Sequence, residues 1–417
     1  MLFGSSGIRR VFDKDLLDLS LKVGTACGSI NNSIVIGTDT RTTAPVISSG
    51  FISGALAAGC SVSFGGIAPT PTVAFAAKMK DSGCCITASH NPEQYNGMKL
   101  VNPDGSAYTM EQQEEVERLV GQPLLSDWTG QGDYRSDDII TPHREAVLSS
   151  LSVEKEISMV LDCGGGAGSV ITPGLLRDAG IRAECLNCHT GGKFPRPSEP
   201  LECNLGYIPG IIRSGKLDGA IIHDGDADRF MAFDNRGRYI SGDHLLMLFA
   251  KHLGAKRVVT TADASMSIEE IAEVRRTPVG DSFVSEELRC WGDFGGEPSG
   301  SWIFPDHSLC PDGIYAAMLF CVIASSCDVA ERIDKMPSYP LIRNSFECPG
   351  ARKILQVMGA ENPTDGIRIE DEDGWCLVRA SGTEPKVRIT AEGRTLNGAE
   401  NMRDKGLSTL KSAKKRI

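Results

Sequence analysis

The chain has 417 residues, a hydrophobic content of 41% and a formal net charge of −11, with 43 basic against 54 acidic side chains. Length alone predicts about three folded domains. The acidic balance argues against nucleic acid or an anionic membrane as the main partner. No apolar run is long enough to span a bilayer, and the N-terminus lacks the apolar stretch of a secretory signal, so we expect a cytoplasmic protein. The fourteen scattered cysteines fit buried free thiols in a reducing compartment.

Three segments along the chain repeat one pattern: an apolar strand, a turn rich in Ser, Thr, Asp and Gly, and then a helical pattern. The predicted strands cover residues 33–36, 159–161 and 257–260. Strands that alternate with helices are typical of α/β units with largely parallel sheets. The sequence therefore predicts three tandem α/β domains.

The C-terminal part differs from the three repeats. Residues 375–379 and 386–390 are predicted strands joined by a Gly/Pro turn, and a lysine-rich helix follows. This pattern predicts a smaller C-terminal α+β domain. We place the four domains at residues 1–138, 139–236, 237–339 and 340–417.

The segment 224–229, which reads D-G-D-A-D-R, follows a short apolar run. Side chains at alternate positions of an extended segment share one face, so Asp224, Asp226 and Asp228 would converge. Three converging carboxylates repel one another unless a hard cation such as Mg²⁺ neutralises them. A solvated acidic turn is the alternative. An EF-hand is excluded, because Asn235 occupies the loop position that requires glutamate.

A serine follows the predicted buried strand at 84–88, at the edge where α/β sheets place ligand groups. Ser89 is therefore a candidate nucleophile, although a capping or turn role is a comparable alternative. In an extended segment His90 would point to the opposite face and could not act as its base. Lys99, which we place on a strand entered through an Asn-Gly turn at 96–97, could serve as an electrostatic clamp and proton-transfer group.

Two further loops carry side chains suited to a phosphorylated sugar. Glu297 and Ser299 lie among glycines in the loop 294–300, where they could contact hydroxyl groups, although such a loop is more often a plain surface turn. The segment 379–388 combines two arginines, two hydroxyls and a tight turn, which is the composition of a phosphate cradle.

Two other motifs do not indicate a cofactor. The glycine cluster at 164–168 does not have the dinucleotide-binding spacing. The C-L-N-C-H run at 185–189 matches a haem-attachment pattern, but that chemistry needs export.

Together these motifs resemble the α-D-phosphohexomutase superfamily over essentially the whole chain. The resemblance lies in T-A-S-H-N-P at 87–92 (phosphoserine loop), D-G-D-A-D-R at 224–229 (metal loop), G-E-P-S-G at 296–300 (sugar loop), R-A-S-G-T-E-P at 379–385 (phosphate loop) and F-G-S-S-G-I-R at 3–9. It implies four domains around a central cleft, which supply the phosphoserine, metal, sugar and phosphate loops, one each and in chain order. The implied reaction interconverts hexose 1-phosphate and hexose 6-phosphate through phosphate on Ser89 and a hexose 1,6-bisphosphate intermediate.

The resemblance also implies roles for single residues. Mg²⁺ would lie between the Ser89 phosphate and Asp224, Asp226 and Asp228, with Lys99 as the base supported by Arg9 and Arg229. The implied sugar contacts are Thr277, Gly280, Glu297 and Ser299, and the implied phosphate contacts are Arg379, Ser381, Gly382, Thr383 and Arg388. Arg41 and Arg229 are also implied substrate-binding residues, with Arg41 facing the same cleft. The chain departs from the superfamily pattern where Ser301 replaces a common histidine and where Arg10 replaces a glycine.

The substrate cannot be read from these motifs alone. The form of the phosphate loop favours glucosamine phosphate slightly over mannose or glucose phosphate. A sugar-phosphate phosphatase and a binding protein without turnover are the alternatives from other classes. We expect a monomer or homodimer with a small phosphosugar as its partner.

Overall fold

The computed structural model describes residues 2–4, 7–122, 124–360, 362, 365–380 and 385–416. Four separate sheets follow one another along the chain. Short 3-10 helices at Ala167–Val170, Glu202–Asn204 and Met266–Glu270 supplement the elements named below. No helix in these ranges is long and apolar enough to cross a membrane.

The first domain is a six-stranded mixed sheet covered by helices. Its strands are β1 (Ile8–Val11), β2 (Ser33–Thr38), β3 (Ser61–Ile67), β4 (Ser82–Ile86), β5 (Tyr95–Val101) and β6 (Tyr134–Ser136), and its helices are α1 (Lys14–Ile30), α2 (Ala44–Ala57), α3 (Thr70–Ala77) and α4 (Met110–Val120). The strand order is β1-β5-β4-β2-β3-β6. Strands β4, β2, β3 and β6 are parallel, whereas β5 is antiparallel to both of its neighbours. Residues 96 and 97 lie inside β5, so the Asn-Gly turn predicted there is wrong.

Glycines let α1 and α2 approach each other closely. A Cβ atom added at Gly24 would lie 2.1 Å from the carbonyl oxygen of Phe51, and one added at Gly54 would lie 2.1 Å from that of Leu21. Neither position tolerates a side chain unless the helices separate. The two helices therefore pack backbone against backbone.

The second and third domains share one hydrophobic core, which runs from Val147 to Met336. The second contains α5 (Ile140–Ser150), β7 (Ser158–Asp162), α6 (Thr172–Asp178), β8 (Arg182–Leu186), α7 (Ile208–Gly215), β9 (Gly219–His223), β10 (Phe230–Phe233) and β11 (Tyr239–Ile240), with strand order β11-β10-β9-β7-β8. The third contains α8 (Gly242–Leu253), β12 (Arg257–Thr261), β13 (Glu273–Thr277), α9 (Asp281–Leu288), β14 (Phe294–Glu297), β15 (Ser301–Ile303), α10 (Gly313–Ser326) and α11 (Val329–Asp334), with order β13-β12-β14-β15. The inner strands of both sheets are parallel, as the sequence predicts.

The fourth domain is smaller and has its own core. It contains β16 (Leu341–Glu347), α12 (Ala351–Met358), β17 (Ile367–Asp371), β18 (Gly374–Ala380), β19 (Lys386–Gly393) and α13 (Leu396–Lys414). Its sheet is antiparallel with order β16-β19-β18-β17, and α13 packs on it. The predicted α+β tail is therefore confirmed, whereas the four domain boundaries stay predictions.

A buried carboxylate joins the fourth domain to the third. Glu392 on β19 accepts hydrogen bonds from the hydroxyl of Ser265, from the backbone N–H of Met266 (2.7 Å) and from the indole of Trp375 (2.6 Å). Only 1% of Glu392 is exposed. This carboxylate therefore fixes β19 against the third domain at one point.

Candidate active site

The four domains enclose a central cavity of about 890 Å³. The predicted site residues among its lining are Arg9, Ser89, Asp228, Arg229, Gly280, Glu297, Ser299, Arg379 and Arg388. Each domain contributes at least one of them. A cavity of this size is typical of small-molecule sites.

Ser89 lies in the loop that follows β4. Its backbone has a φ of 51°, in the left-handed region that residues other than glycine rarely adopt. Its Oγ donates to Asp224 Oδ2 at 3.1 Å and lies 3.4 Å from His90 Nδ1. The predicted extended geometry is therefore wrong, because the left-handed turn brings both side chains to one side. Burial, followed by the charges of Arg229 and Arg9, lowers the pKa of His90 to about 2.

Arg41 does not line the cavity in the part of the chain that the structure describes, so its position does not support the prediction that it contacts substrate. It is 1% exposed, because its guanidinium is used entirely behind the serine loop. It donates to the carboxylate of Asp39 (2.9 Å) and to the backbone carbonyls of Ser89 (2.8 Å), Asn91 (2.7 Å), Pro92 (2.6 Å) and Tyr95 (2.9 Å). Arg41 therefore holds the shape of the loop that presents Ser89.

The three aspartates lie in a tight turn between β9 and β10. Ala227 adopts a φ of 53°, so the segment is not extended as predicted. The carboxylates of Asp224, Asp226 and Asp228 nevertheless converge, with one oxygen of each within 4.8 Å of the others. Asp226 Oδ1 and Asp228 Oδ1 are buried and have no hydrogen-bond partner among the described residues. Unpaired buried carboxylate oxygens are costly, and they are the ligands that Mg²⁺ prefers, so this donor set fits Mg²⁺.

Lys99 reaches the same turn from β5 in the first domain. Its Nζ lies 2.8 Å from Asp226 Oδ2 and also forms an ion pair with Asp228 Oδ2. Burial alone would lower the pKa of Lys99, but the two carboxylates outweigh burial and hold it above its usual value. Burial alone would raise the pKa of Asp226, and the contact with Lys99 instead lowers it. The positively charged ammonium of Lys99 therefore lies directly beside the turn that carries the three aspartates.

Two arginines add positive charge around Ser89. Arg229 contacts Glu199 at 3.2 Å, and its backbone N–H donates to Asp224. Arg9 Nη1 lies 3.5 Å from the side-chain oxygen of Asn91, while its buried Nε has no hydrogen-bond partner in the described part of the chain. The cavity around Ser89 is thus positively charged on two sides.

Glu297 ends β14 and faces the cavity. Its Oε1 accepts the backbone N–H of Gly280 at 2.9 Å, and the Oγ of Ser299 lies 3.4 Å from its Oε2. Gly280 has a φ of 149°, which favours glycine. Burial, then the nearby carboxylates of Asp281 and Asp263, raise the pKa of Glu297 to about 8. This wall of the cavity is therefore rich in carboxyl groups.

Thr277 lies apart from Gly280, Glu297 and Ser299. It ends β13, and its hydroxyl donates to the neighbouring carbonyl of Pro278 at 3.0 Å. It does not line the cavity within the described ranges. The prediction that Thr277 contacts substrate directly therefore has no support from its position.

The fourth domain brings two arginines to the far end of the cavity. Arg379 and Arg388 are direct partners on β18 and β19, and an Arg379 nitrogen lies 3.8 Å from Asp263. The predicted phosphate contacts Ser381, Gly382 and Thr383 lie outside the described residues. Arg352 also lines the cavity, although the sequence motifs did not predict it. The one local feature that could have indicated Arg352 is its position near the start of α12, just after Gly350, whose backbone is left-handed.

Family comparisons cover the chain from end to end. The families described as phosphoglucomutase/phosphomannomutase alpha/beta/alpha domains I, II and III match residues 1–124, 139–237 and 241–339. The C-terminal domain of the same family matches residues 345–405. A protein of Methanococcoides burtonii named "Probable phosphoglucosamine mutase" is 42% identical over 433 residues, which cover 99% of each chain.

Solved structures share the fold. A phosphoglucomutase/phosphomannomutase family protein from Burkholderia thailandensis aligns with a TM-score of 0.89 and 25% identity, covering 99% of this chain and 97% of that one. Aspergillus fumigatus N-acetylphosphoglucosamine mutase, solved in complex with GlcNAc-6P and magnesium, aligns with a TM-score of 0.59 and 17% identity, covering 99% and 96%. The chain therefore belongs to the phosphoglucomutase/phosphomannomutase family of the α-D-phosphohexomutase superfamily and is an intramolecular phosphotransferase of the isomerase class.

Proposed function

We propose that the chain interconverts glucosamine 1-phosphate and glucosamine 6-phosphate through phosphate carried on Ser89. The sugar would receive the phosphoryl group and become a 1,6-bisphosphate, turn round in the cavity, and return its other phosphate to Ser89. The observation that carries this proposal is the 3.1 Å contact between Ser89 Oγ and Asp224, which joins two loops of different domains beside the cavity that Ser89 and Asp228 line. Such a contact places a nucleophilic hydroxyl beside a candidate metal turn.

The choice of an amino sugar rests on two supports. The first is the shared name of the relatives at about 40% identity, which are called probable phosphoglucosamine mutases. The second is the group of carboxyls around Glu297, since Asp263 and Asp281 raise its pKa through their negative charge. An ammonium on the sugar would relieve that repulsion, whereas a hydroxyl in its place would not.

We propose Mg²⁺ as the resident cation, held by Asp224, Asp226 and Asp228 together with the phosphate of Ser89. When bound, Mg²⁺ would neutralise the charge on the transferring phosphoryl group. The unpaired oxygens of Asp226 and Asp228 support this assignment. Magnesium in the Aspergillus relative's structure also agrees with it.

The remaining charged residues divide between the two ends of the substrate. Near Ser89, Arg9 and Arg229 would stabilise the phosphoryl charge. Lys99 is our candidate for moving the proton of the sugar hydroxyl, and it could accept that proton only when a cation at Asp226 and Asp228 offsets the carboxylate charges that raise its pKa. At the far end, Arg379 and Arg388 would grip the second phosphate, because paired guanidinium groups bind phosphate strongly. Glu297, Ser299 and Gly280 would contact the sugar between them. An anchor that accepts either phosphate would allow the bisphosphate to bind in both orientations.

The test is a panel of glucosamine, mannose and glucose 1-phosphates labelled with ³²P, with the matching 1,6-bisphosphate as activator. We expect glucosamine 1-phosphate to give the highest kcat/KM and to keep the label in the sugar product. A higher kcat/KM for mannose or glucose phosphate would overturn the amino-sugar assignment alone. Release of the label as inorganic phosphate would identify a phosphatase and overturn the mutase cycle.

The nucleophile is tested separately with Ser89→Ala. We expect kcat to fall by at least about 10³-fold while sugar-phosphate binding persists. Ser53→Ala, which removes an exposed hydroxyl from α2 of the same domain, serves as the matched control. Turnover at the wild-type rate in Ser89→Ala would remove the nucleophile from the proposal.

We also propose that the protein works in the cytoplasm on small phosphosugars as a monomer or homodimer. The excess of acidic side chains agrees with this proposal, because it disfavours polyanionic partners. Light scattering on the purified chain would measure the oligomeric state. A stable assembly larger than a dimer would contradict this part of the proposal.

A further inference from the structure

A cluster of two histidines and one aspartate lies outside the site described above. His143 belongs to α5, whereas His307 and Asp312 precede α10. The Nε2 atoms of His143 and His307 lie 3.1 Å and 3.4 Å from the same oxygen, Asp312 Oδ2. One ligand atom of each of the three residues lies within 4.8 Å of the others. Two imidazoles therefore converge on one carboxylate oxygen.

The cluster is enclosed at a junction of the first three domains. The side chains of His143, Asp312 and His307 are 0%, 2% and 8% exposed. Phe75 on α3 stacks against both imidazoles, with ring centroids 5.1 Å and 5.4 Å away. The contact between His143 and Asp312 joins the second domain to the third, and Phe75 on α3 adds the first domain to the junction.

Among the described residues, the inward nitrogens of the two imidazoles face only Asp312. Nε2 of His143 shares a hydrogen bond of 3.1 Å with Asp312 Oδ2, and a bound dication would replace the proton between them. Thr72 Oγ1 lies 2.9 Å from Nδ1 of His143, so this nitrogen can then donate to the hydroxyl while Nε2 binds through its lone pair. His307 Nε2 makes no hydrogen bond to any described residue, despite its burial. Asp312 uses Oδ1 to cap α10, through the N–H groups of Ile314 and Tyr315, which leaves Oδ2 directed at the imidazoles. A metal-bound histidine characteristically donates its other N–H to such an outer partner.

We propose that His143, His307 and Asp312 bind a late first-row dication, with Zn²⁺ as the best match. The two imidazoles are borderline nitrogen ligands, so this set, which also includes one carboxylate, suits Zn²⁺ better than Mg²⁺ or Ca²⁺. In a tetrahedral zinc site with bonds near 2.0–2.1 Å, neighbouring ligand atoms lie about 3.3 Å apart. The observed separations of 3.1 Å and 3.4 Å agree with that edge length. The ion would connect the second and third domains, with Thr72 of the first domain as the outer partner of His143, and would leave the phosphoryl chemistry to the aspartate turn.

Lys78 is the cation that bears on this proposal, because a nearby ammonium opposes a bound dication. Its Nζ donates to the backbone carbonyl of His307 and lies 4.3 Å from the centre of the Phe75 ring. The hydrogen bond and the ring contact hold this ammonium against the backbone of His307 and the face of Phe75.

The test uses Co²⁺ as a spectroscopic substitute for Zn²⁺, with the full chain stripped of metals and kept in excess Mg²⁺. We expect one equivalent of Co²⁺ to give visible ligand-field absorption without the strong sulfur charge-transfer band of thiolate ligands, and one equivalent of Zn²⁺ to displace it. His307→Asn should abolish this signal, and Thr72→Val should weaken Co²⁺ binding about 10- to 100-fold. Asp226→Asn and His252→Asn should leave the signal unchanged, because they remove a carboxylate from the aspartate turn and a histidine from α8.

Each outcome decides the proposal independently of enzyme activity. Circular dichroism must show that His307→Asn is folded, and Thr72→Val gives a second readout that keeps both histidines. Absence of stoichiometric Co²⁺ binding, or an equal signal in His307→Asn, would show that the two imidazoles only donate hydrogen bonds to Asp312. Loss of the signal in Asp226→Asn would assign the ion to the aspartate turn instead.

Discussion

At the scale of single residues, the position of Ser89 depends on one buried arginine. Ser89 has a left-handed backbone, which costs free energy unless its surroundings compensate. Arg41 supplies that compensation by donating to four carbonyls of the loop from behind. A buried arginine outside the cavity lining thus fixes the loop that carries Ser89.

Arg41→Lys tests this positioning role. Lysine keeps the charge but cannot form five directed bonds from one planar group, so the loop should lose its fixed shape. We expect kcat to fall about 10- to 100-fold while KM changes less than about twofold, because the sugar contacts remain. Arg10→Lys, at an exposed position of β1, is the matched control. A raised KM with unchanged kcat would indicate substrate contact instead.

Glu297 should make stability depend on pH. Its folded-state pKa is raised from 4.5 to about 8, so the folded protein holds a proton that the unfolded chain releases between these values. Stability should therefore fall as pH rises through this range, by up to about 1.4 kcal/mol per pH unit. Urea unfolding at about pH 5 and about pH 8 measures the effect. Glu297→Gln should remove this contribution, and identical pH profiles for both proteins would contradict the prediction.

At the scale of elements, the close packing of α1 against α2 requires glycine. In Gly24→Ala the new methyl group would meet the Phe51 carbonyl at 2.1 Å, so the helices must move apart. We expect a loss of about 1–3 kcal/mol in the free energy of unfolding, measured with urea. Gly210→Ala on α7 is the control, because a methyl group there meets no atom within 4 Å. This control should gain about 0.5–1 kcal/mol from helix propensity. Equal stability changes in both variants would contradict the packing argument.

The sequence was most informative about individual helices and strands. The strand and turn patterns predicted β2, β7, β12 and the β18–β19 pair, because a short apolar run bounded by turn residues is a local feature of the sequence. The left-handed turn at Ser89 and the burial of Arg41 were not predictable, since both depend on partners that only the folded chain supplies. For the same reason no local pattern joined His143 to Asp312, which lie 169 residues apart.

At the scale of the whole molecule, Glu392 links the fourth domain to the rest. Glu392→Gln keeps the shape but weakens the bonds to Ser265 and Met266, so the fourth domain should hold Arg379 and Arg388 less firmly over the cavity. We expect KM for the sugar phosphate to rise about tenfold, while phosphorylation of Ser89 by bisphosphate at saturation stays near normal. Glu400→Gln, on an exposed turn of α13, is the control. An unchanged KM would show that this anchor does not govern substrate binding.

The residues that line the cavity are spread along the sequence from Arg9 to Arg388, and this spread matters while the protein is being synthesised. A nascent or proteolytically shortened polypeptide that stops before β18 can contain the serine loop and the acidic turn, yet it lacks both arginines of the far end. Such a fragment cannot retain a doubly phosphorylated sugar while it turns round. We therefore expect the chain to become able to catalyse the reaction in a single step, near the end of its synthesis on the ribosome.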